Sequence, residues 1–413
     1  MKIRQIAIEG IGGISKFSTK LHPEFNIICG SNGIGKTTIL DAIAAAFLAQ
    51  SGPSLKRGVN AKEGLGSVLL ETGDKQVELK YRLTRFELDG GEGTGGSREL
   101  AEDLLYVPTQ RDLTYQKLNA VQSDPHHNEV LHRAHHNAGL NLHEIKAWFV
   151  NRFLWSHVGK SLSEIQKANN RFVQGVFSLI DAGFSFSDVL GDTNEILINT
   201  PTGTIPFEFL SSGFRSSMAL IFGLIKEIEL RKKGREIPLQ EFAGVILIDE
   251  LDMHLHPAWQ QRIVGILRSC FPKAQFVTTT HSPFIVQSAT PAEVIALRRM
   301  PDGSVDKILS EAKRGFSGWT IEEIAKDVFV PMNLTALEAF NSNPEQSSDY
   351  RRLKGAPNEE TESTASMELG GPPPPNHAQN VNVFDELQNL RISLLTNDLD
   401  GIRSTLERFD QAR

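Results

Sequence analysis

Residues 30 to 37 read GSNGIGKT and match the phosphate-binding pattern G-x-x-x-x-G-K-S/T. In this pattern the glycines let backbone N–H groups wrap around phosphates, because no Cβ blocks the close approach. Lys36 adds positive charge at the β- and γ-phosphates, and the Thr37 hydroxyl is a ligand for Mg²⁺. Thr38 follows at the start of a predicted helix, where it can reach the α-phosphate. The residues predicted to contact a nucleotide here are Asn32, Gly33, Gly35, Lys36, Thr37 and Thr38.

Two adjacent carboxylates, Asp249 and Glu250, follow the apolar run 245–248. A buried strand that ends at Asp249 places its carboxylate at the carboxyl edge of a sheet, where it can hold Mg²⁺ directly or through water. Glu250 then faces the γ-phosphate side, where it can orient or deprotonate the attacking water. Many buried strands end in acids, so the pair indicates nucleotide chemistry only together with the phosphate loop.

These side chains need a sheet that brings them to one edge. Apolar strands within 244–250, 274–280 and 294–299 alternate with helices, which predicts an α/β fold with a mainly parallel sheet covered on both faces. The first segment, 2–11, alternates isoleucines with polar residues, and we interpret it as an exposed edge strand. Short strand-like pieces predict an antiparallel β layer over about 55–100. Helical periodicity predicts an inserted helical subdomain over about 115–185.

The rest of the chain divides by composition. We assign residues 1–340 to an ATPase domain. Residues 341–380 are predicted to be a disordered linker, since they lose large apolar side chains and gain Pro, Gly, Ser and Glu. Apolar residues then recur every three or four positions over 381–413, which predicts a C-terminal pair of amphipathic helices. These helices either fold back onto the ATPase body or dock on another subunit.

Residues 210 to 214, Leu-Ser-Ser-Gly-Phe, open the helix before the Asp249 strand and resemble the L-S-G-G-Q signature of ABC-type ATPases. In that class the serine and glycine lie at a helix N-terminus and contact the γ-phosphate bound by the other subunit. The resemblance implies this role for Ser211, Ser212 and Gly213. An ordinary serine N-cap is the alternative for either serine alone.

The same resemblance implies two more site residues. The segment FVTTTHSPFI ends a strand at His281, where ABC-type ATPases carry a switch histidine that contacts the γ-phosphate. Gln110 ends the strand LLYVPTQ and occupies the place of the Q-loop glutamine, which touches Mg²⁺ and the water. Its neighbours Pro108 and Arg111 leave Gln110 less well defined than the other positions.

The motif order along the chain resembles the RecF, SMC and OLD-nuclease group of ABC-type P-loop ATPase heads. Within this group it is similar to compact bacterial AAA-family ATPases with a D-E-x-x-x-H-L-H-P element, many of which serve anti-phage defence in Septu, retron and PARIS systems. Residues 318–330 also resemble the segment that closes the ATPase domain in those proteins. Residues after 330 leave no room for the Toprim nuclease domain of OLD nucleases, so we expect no intrinsic nuclease activity.

Composition limits the kinds of partner and the cellular compartment that we expect. The chain has 413 residues, 40% of them hydrophobic, and a net charge of −7, which argues against a surface that is a polyanion-binding sheath throughout. Its two cysteines are too few for a disulfide framework and are expected to be buried thiols. The start, MKIRQIAIEG, lacks a signal-peptide pattern, and no apolar run reaches membrane-spanning length. We therefore expect a cytoplasmic protein that does not contact membranes.

Two histidine-rich stretches offer a metal site as an alternative. Six histidines fall between 126 and 143, but without cysteines or an acidic ligand pattern a solvated or interface helix is favoured over zinc binding. His254 and His256, just after the Asp-Glu pair, either line a subunit interface or brace the turn before Pro257. The basic run 231–235 is interpreted as a helix C-terminus, with DNA binding as the alternative.

The favoured hypothesis is an ATP-hydrolysing homodimer or higher oligomer, with two ATP molecules and Mg²⁺ held between the Lys36 loop of one subunit and Ser211 of the other. It would sense or regulate a separate effector, a nuclease, in a bacterial defence complex. The second hypothesis is a RecF-like clamp for DNA repair or chromosome maintenance, with DNA as the partner. A transporter ATPase subunit is a weaker third.

Overall fold

A computed structural model describes residues 1–48, 55–84, 86, 93–94, 98–120, 140–159, 161–300, 304–308, 316 and 318–329. All of them belong to one compact unit, Met1–Ser342. The predicted linker, the predicted C-terminal helices and the histidines from 126 to 136 lie outside the described residues.

The strands of the described residues are numbered in chain order. They are β1 (Lys2–Ile11), β2 (Ile14–Lys20), β3 (Phe25–Cys29), β4 (Gly64–Thr72), β5 (Lys75–Leu83), β6 (Gly93–Thr94), β7 (Leu104–Val107), β8 (Arg111–Asp112), β9 (Leu140–Asn141), β10 (Ser185–Val189), β11 (Ile196–Thr200), β12 (Gly203–Pro206), β13 (Val245–Ile248), β14 (Gln275–Thr279), β15 (Val294–Arg299) and β16 (Val305–Ile308).

The helices are numbered in the same way. They are α1 (Lys36–Leu48), α2 (Arg98–Ala101), α3 (Leu142–Ser156), α4 (Glu164–Ile180), α5 (Ser212–Arg231), α6 (Pro257–Cys270), α7 (Pro283–Gln287) and α8 (Ile321–Ile324). Among the helices that the structure describes, none has both the length and the apolar content that crossing a bilayer requires.

A six-stranded sheet with the order β16-β15-β3-β14-β13-β7 forms the centre. Its strands run parallel except for β16, which pairs antiparallel with β15 at one edge. Alternate residues of β13 face two separate cores: Val245 and Leu247 pack with α1, whereas Ile246 and Ile248 pack with α5 and α6. Because apolar side chains are needed on both faces, these strands read as continuous apolar runs, and the predicted α/β fold is confirmed.

An antiparallel sheet with the order β2-β1-β4-β5-β6 covers α1. β1 lies between β2 and β4, with Ile6 opposite both Thr19 and Val68, so the interpretation of this segment as an exposed edge strand is wrong. The alternation reflects one solvated face of a paired strand and says nothing about its neighbours. A register shift between Ile3 and Gln5 explains why two inward isoleucines are three residues apart.

α3 and α4 lie within the predicted helical insertion and pack against α5. Phe149 of α3 stacks on Phe222 of α5, with ring centroids 5.4 Å apart, and meets Phe177 of α4 edge-on. Arg152 and Glu229 form an ion pair of 2.6 Å between α3 and α5. The helical part is thus joined to the central sheet through α5, whose first turn carries the predicted signature.

Both cysteines are free and buried, as predicted from their apolar neighbours. Burial raises the pKa of the Cys29 thiol to about 12 and that of the Cys270 thiol to about 12. Neither thiol therefore ionises near neutral pH, which leaves redox chemistry without a reactive group in the described residues.

Candidate active site

The phosphate loop runs from the end of β3 to the start of α1, as its motif predicts. Gly30 and Gly35 have φ angles of 144° and 110°, which residues with a Cβ rarely adopt. A Cβ on Gly30 would lie 2.9 Å from the carbonyl oxygen of Leu297, and one on Gly35 would lie 2.9 Å from Ile14 Cδ1. Both glycines are therefore required by backbone angle and by space.

Lys36 begins α1 and its side chain folds back over the loop. Its Nζ donates to the carbonyl oxygens of Gly30 and Ser31, at 3.0 Å each. Burial lowers the pKa of Lys36, and the negative charges of Asp249, Glu250 and Asp252 oppose that shift. The lysine therefore interacts electrostatically with the carboxylates that follow β13.

Asp249 is 2% exposed and its two carboxylate oxygens are both engaged. Oδ2 accepts from Thr37 Oγ1 at 2.9 Å, and Oδ1 accepts from Thr279 Oγ1 at 2.5 Å. The structure therefore brings together Thr37 and Asp249, both predicted as Mg²⁺ ligands. A hydroxyl and a carboxylate at this distance fit Mg²⁺, which binds few protein oxygens and takes its others from phosphates and water.

Glu250 has a left-handed backbone, with φ 46°. Its amide donates to Thr279 Oγ1 at 2.7 Å, so one hydroxyl links Glu250 to Asp249. Such a backbone costs about 1–3 kcal/mol in a residue with a Cβ, and it persists only where neighbours hold it. The Glu250 carboxylate is half-buried and makes no hydrogen bond to another described residue.

His281 follows β14 and is fixed by Asp252. Asp252 Oδ1 accepts from the His281 amide at 3.1 Å and from Thr280 Oγ1 at 2.5 Å. Burial, and next the positive charge of Lys36, lower the pKa of the half-buried His281 imidazole, so it is neutral at physiological pH. A neutral ring can donate one hydrogen bond to a phosphate oxygen without carrying charge.

Gln110 and Arg111 point to different surroundings. Gln110 is exposed; its carbonyl accepts from the Leu140 amide at 3.0 Å, and its side-chain amide has no hydrogen-bond partner among the described residues. Arg111 is buried, and its guanidinium donates to the carbonyl oxygens of Asp249 and Glu250. The side chain that reaches the Asp-Glu turn from this segment is therefore Arg111, which the motif comparison did not assign.

The signature-like turn begins α5, and one of its two serines caps this helix. Ser211 is the N-cap of α5, and its Oγ accepts from the Phe214 amide at 3.3 Å. Ser211 and Ser212 are exposed, whereas Gly213 is buried and a Cβ there would lie 3.1 Å from Trp259 Cδ1. Phe209, just before them, is 74% exposed. An N-cap and an open, surface-facing helix terminus therefore coexist.

The two histidines after the Asp-Glu pair differ. His256 is the N-cap of α6, and its Nδ1 accepts from the Ala258 amide at 3.4 Å, which braces the turn before Pro257. His254 is exposed and has φ 61°. Within the described ranges, no three side chains of the metal-binding types come together as a metal site.

Three of the four basic side chains in the run at the end of α5 contact other residues of the chain. Arg231 is buried and donates to the carbonyl oxygens of Leu104 and Ala101. Lys232 and Arg235 form ion pairs with Asp103 and Glu102, respectively. These contacts support the helix-terminus interpretation over DNA binding by this run.

A cavity of about 680 Å³ adjoins the phosphate loop. It is lined by the β1–β2 turn, by residues 58–63 and by Arg299, whose guanidinium donates to the carbonyl oxygens of Gly13 and Gly33. Its size is within the range of pockets for small ligands, and it is the candidate space for the nucleoside part of a nucleotide.

A phosphate loop after β3, a carboxylate pair after β13 and a signature-like turn before α5 define an ABC-type P-loop ATPase head. The family model described as "AAA domain, putative AbiEii toxin, Type IV TA system" matches residues 25–287. Septu protein PtuA of Bacillus thuringiensis is 37% identical over 359 residues, covering 84% of this chain and 91% of that protein. The chain belongs to this AAA-domain family of Septu PtuA-like ATPases, and the predicted resemblance is confirmed.

Two further comparisons cover less or are more distant. The "Retron Ec83 probable ATPase" of Escherichia coli is 29% identical over 165 residues, which are 40% of this chain and 28% of that protein. The SMC head domain from Thermotoga maritima is 16% identical with a TM-score of 0.46, over 76% of this chain and 100% of that one.

Proposed function

We propose that this chain is the ATP-hydrolysing subunit of a bacterial anti-phage defence complex in the cytoplasm. Two copies pair when ATP is bound, and this pairing senses or regulates a separate effector protein. Membership of the family of Septu protein PtuA supports the defence role. The hydrogen-bonded edge of the central sheet, where Thr37, Asp249 and Thr279 meet, carries the ATPase part of the proposal.

Each site residue has a distinct task in ATP binding. Lys36 and the backbone N–H groups of the loop, including those of Asn32, Gly33 and Gly35, hold the phosphates. Thr38 reaches the α-phosphate, and Thr37 and Asp249 hold Mg²⁺, with Gln110 as a further ligand. When bound there, Mg²⁺ neutralises charge on the phosphates.

Hydrolysis is assigned to two side chains. Glu250, whose carboxylate is not engaged by another described residue, accepts a proton from the attacking water or orients it. His281 donates a hydrogen bond to the γ-phosphate from its neutral ring. Its backbone is held by Asp252, so loss of the phosphate would be felt at the turn that follows β13.

The signature-like turn supports the pairing of two heads. Ser211 and Ser212 are exposed at the N-terminus of a 20-residue helix, whose positive dipole end attracts anions. The exposed Phe209 beside them is an apolar contact that a second copy would cover. We assign Ser211, Ser212 and Gly213 to the γ-phosphate bound by the partner copy.

The effector is proposed to be a different chain with nuclease activity, and this chain is proposed to supply the nucleotide chemistry. A test co-purifies the chain with the product of the adjoining reading frame and measures nuclease activity with and without ATP. Cleavage by this chain alone would contradict the assignment of the nuclease to a partner.

The ATPase assignment is tested with Glu250→Gln. We expect kcat to fall by about 10²- to 10⁴-fold while ATP and Mg²⁺ still bind and paired heads accumulate, measured by phosphate release and light scattering. Glu241→Gln, at an exposed acid paired with Lys273, is the control. Unchanged hydrolysis in Glu250→Gln would contradict the catalytic assignment. ATP-dependent binding of duplex DNA that weakens with salt would favour the RecF-like clamp instead.

A further inference from the structure

A buried guanidinium lies behind the Asp-Glu turn. Arg111 is 8% exposed, and it donates to three carbonyl oxygens of the same turn: Asp249 at 2.8 Å, Glu250 at 3.0 Å and Met253 at 3.3 Å. Arginine suits this task because its planar fork presents several donors at fixed angles, which lysine cannot do. Arg111 therefore binds the backbone of the turn, and none of these three bonds involves the carboxylate of Asp249 or Glu250.

The turn that Arg111 binds has a strained backbone at Glu250, the proposed catalytic residue. Glu250 has its left-handed backbone between two of the three bound carbonyls, so Arg111 and the Thr279 hydroxyl hold it from two sides. Without that hold, the residue would relax toward a common backbone region, and the carboxylate would turn with it.

The same turn also contacts the signature helix. The carbonyl oxygen of Met253 accepts from Arg111 and, at 3.4 Å, from Ser216 Oγ of α5. One backbone oxygen is therefore shared between the segment that carries Gln110 and the helix that begins at Ser212.

Arg111 is anchored in the strand pair at the entrance of the helical part. β8 contains Arg111 and runs parallel to β9, with Arg111 opposite Leu140, immediately before α3. Because β9 pairs with the strand that carries Arg111, a displacement of β9 or α3 would move the guanidinium.

We propose that Arg111 is a positioning residue, which holds Glu250 in its catalytic backbone conformation and couples it to the β8–β9 entrance of the helical part. The inference rests on the proposed ATPase function and adds a route by which a partner bound to the helical part alters the hydrolysis rate. Burial lowers the pKa of Arg111 to about 10, so the cation persists at neutral pH and acts as a fixed hold rather than a pH switch.

Arg231 provides a matched control. It is 7% exposed, and burial lowers its pKa too; its guanidinium also donates to backbone carbonyls, but at Leu104, the start of β7. That end of the sheet is opposite the edge that carries Asp249. Loss of a buried arginine thus removes hydrogen bonds to backbone carbonyls at both places, while only one place adjoins Glu250.

The experiment measures kcat and KM for ATP in Arg111→Lys, Arg111→Ala and Arg231→Lys, with melting temperatures. We expect kcat to fall about 100-fold in both Arg111 variants with KM changed much less, because a small misplacement of a catalytic group has this effect. Arg231→Lys should lower the melting temperature comparably and keep kcat near wild type. Guanidinium ions, added well below unfolding concentrations, should partly restore kcat in Arg111→Ala, whereas sodium at equal ionic strength should not.

Four outcomes would contradict the inference. Wild-type kcat in folded Arg111→Lys would overturn it while leaving the ATPase proposal intact. Equal loss of kcat in Arg231→Lys would show a general effect of losing a buried arginine. No rescue by guanidinium would contradict a positioning role for the guanidinium group itself. Absence of hydrolysis by the wild-type protein would overturn the ATPase proposal and the inference with it.

Discussion

The carboxyl edge of the central sheet and the signature-like turn are built differently. At the sheet edge, Thr37, Asp249 and Thr279 form a continuous chain of hydrogen bonds between three elements distant in sequence. At the turn, Ser211 makes only a local cap within its own helix, and Phe209 is largely exposed. In the proposed site, one half, the sheet edge, is therefore fixed within the chain, and the other half, the signature-like turn, faces outward.

Under the proposed function, this difference lets one chain bind a nucleotide while hydrolysis depends on a second copy. A fixed edge reduces the entropy lost when phosphates bind, because few side chains remain to be ordered. An open helix terminus keeps its dipole, and the N–H groups other than that of Phe214, which Ser211 caps, stay free for the anion that the proposed partner copy would bring. The proposed division of the site into two halves can be tested by disabling or restoring one half at a time.

The largest effect is expected from mixing two inactive variants. Ser211→Arg blocks the outward half and Lys36→Ala disables the fixed half, so each alone should lose nearly all hydrolysis. In an equal mixture half of the dimers are mixed and each has one intact site of two, so about a quarter of the wild-type rate should return. Phosphate release measures this.

A control uses Lys36→Ala mixed with Glu250→Gln, since both substitutions disable the same half of the site. Mixed dimers then contain no complete site, and no activity should return. No recovery in the mixture with Ser211→Arg would mean that the site is complete within one chain. Recovery in this control would mean that Lys36 and Glu250 belong to different halves of the site.

The second-largest effect is expected from the Thr279 hydroxyl in the fixed half. Thr279→Val removes the hydroxyl that joins Asp249 to the Glu250 amide, and we expect kcat to fall about 10- to 100-fold with little change in KM. Thr278→Val is the matched control, because that buried hydroxyl donates only to the carbonyl of Asn26. Each should cost about 1–3 kcal/mol of stability in urea unfolding. Equal kcat values for the two variants would rule out a catalytic role for the Thr279 link.

The sequence predicts those parts of the fixed half whose residues are contiguous. The phosphate loop and Asp249 are each defined within a few residues, because a strand end and a turn determine their place. The link through Thr279 could not be read, since it depends on β14 lying beside β13. A run of three threonines before His281 is the signal in the sequence, and only the strand order shows which of them reaches Asp249.

Two other features, the pairing of β1 and the contacts of Arg111, could not be predicted from the sequence pattern. The period of β1 reports that one face is buried, but pairing partners are set by β4, far along the chain, so the edge assignment was wrong. In the sequence, Arg111 is only a departure from the Q-loop pattern. Its guanidinium contacts carbonyl oxygens about 140 residues away in sequence, which no local spacing encodes.

A smaller effect tests strain in the fixed half. Glu250→Gly and Glu250→Ala both remove the carboxylate, but only glycine fits the left-handed backbone without cost. We expect the glycine variant to be more stable by about 1 kcal/mol in urea unfolding, with both variants inactive. His254→Gly against His254→Ala, at φ 61°, is the parallel pair. Equal stabilities within the Glu250 pair would show that the turn has relaxed.

The smallest effect concerns His281, which follows β14 and is held by Asp252. Burial, and next Lys36, lower its native pKa below the ordinary value of about 6.5, so between those two pKa values the unfolded chain binds more protons. Its contribution to stability is therefore complete above pH ~6.5 and is lost as pH falls through the native pKa. His281→Asn should flatten the decline of melting temperature in this window. Lys36→Met should flatten it partly, because one cause of the shift is gone while burial remains. An unchanged slope in His281→Asn would mean that other groups dominate acid sensitivity and that the imidazole is not held neutral by its surroundings.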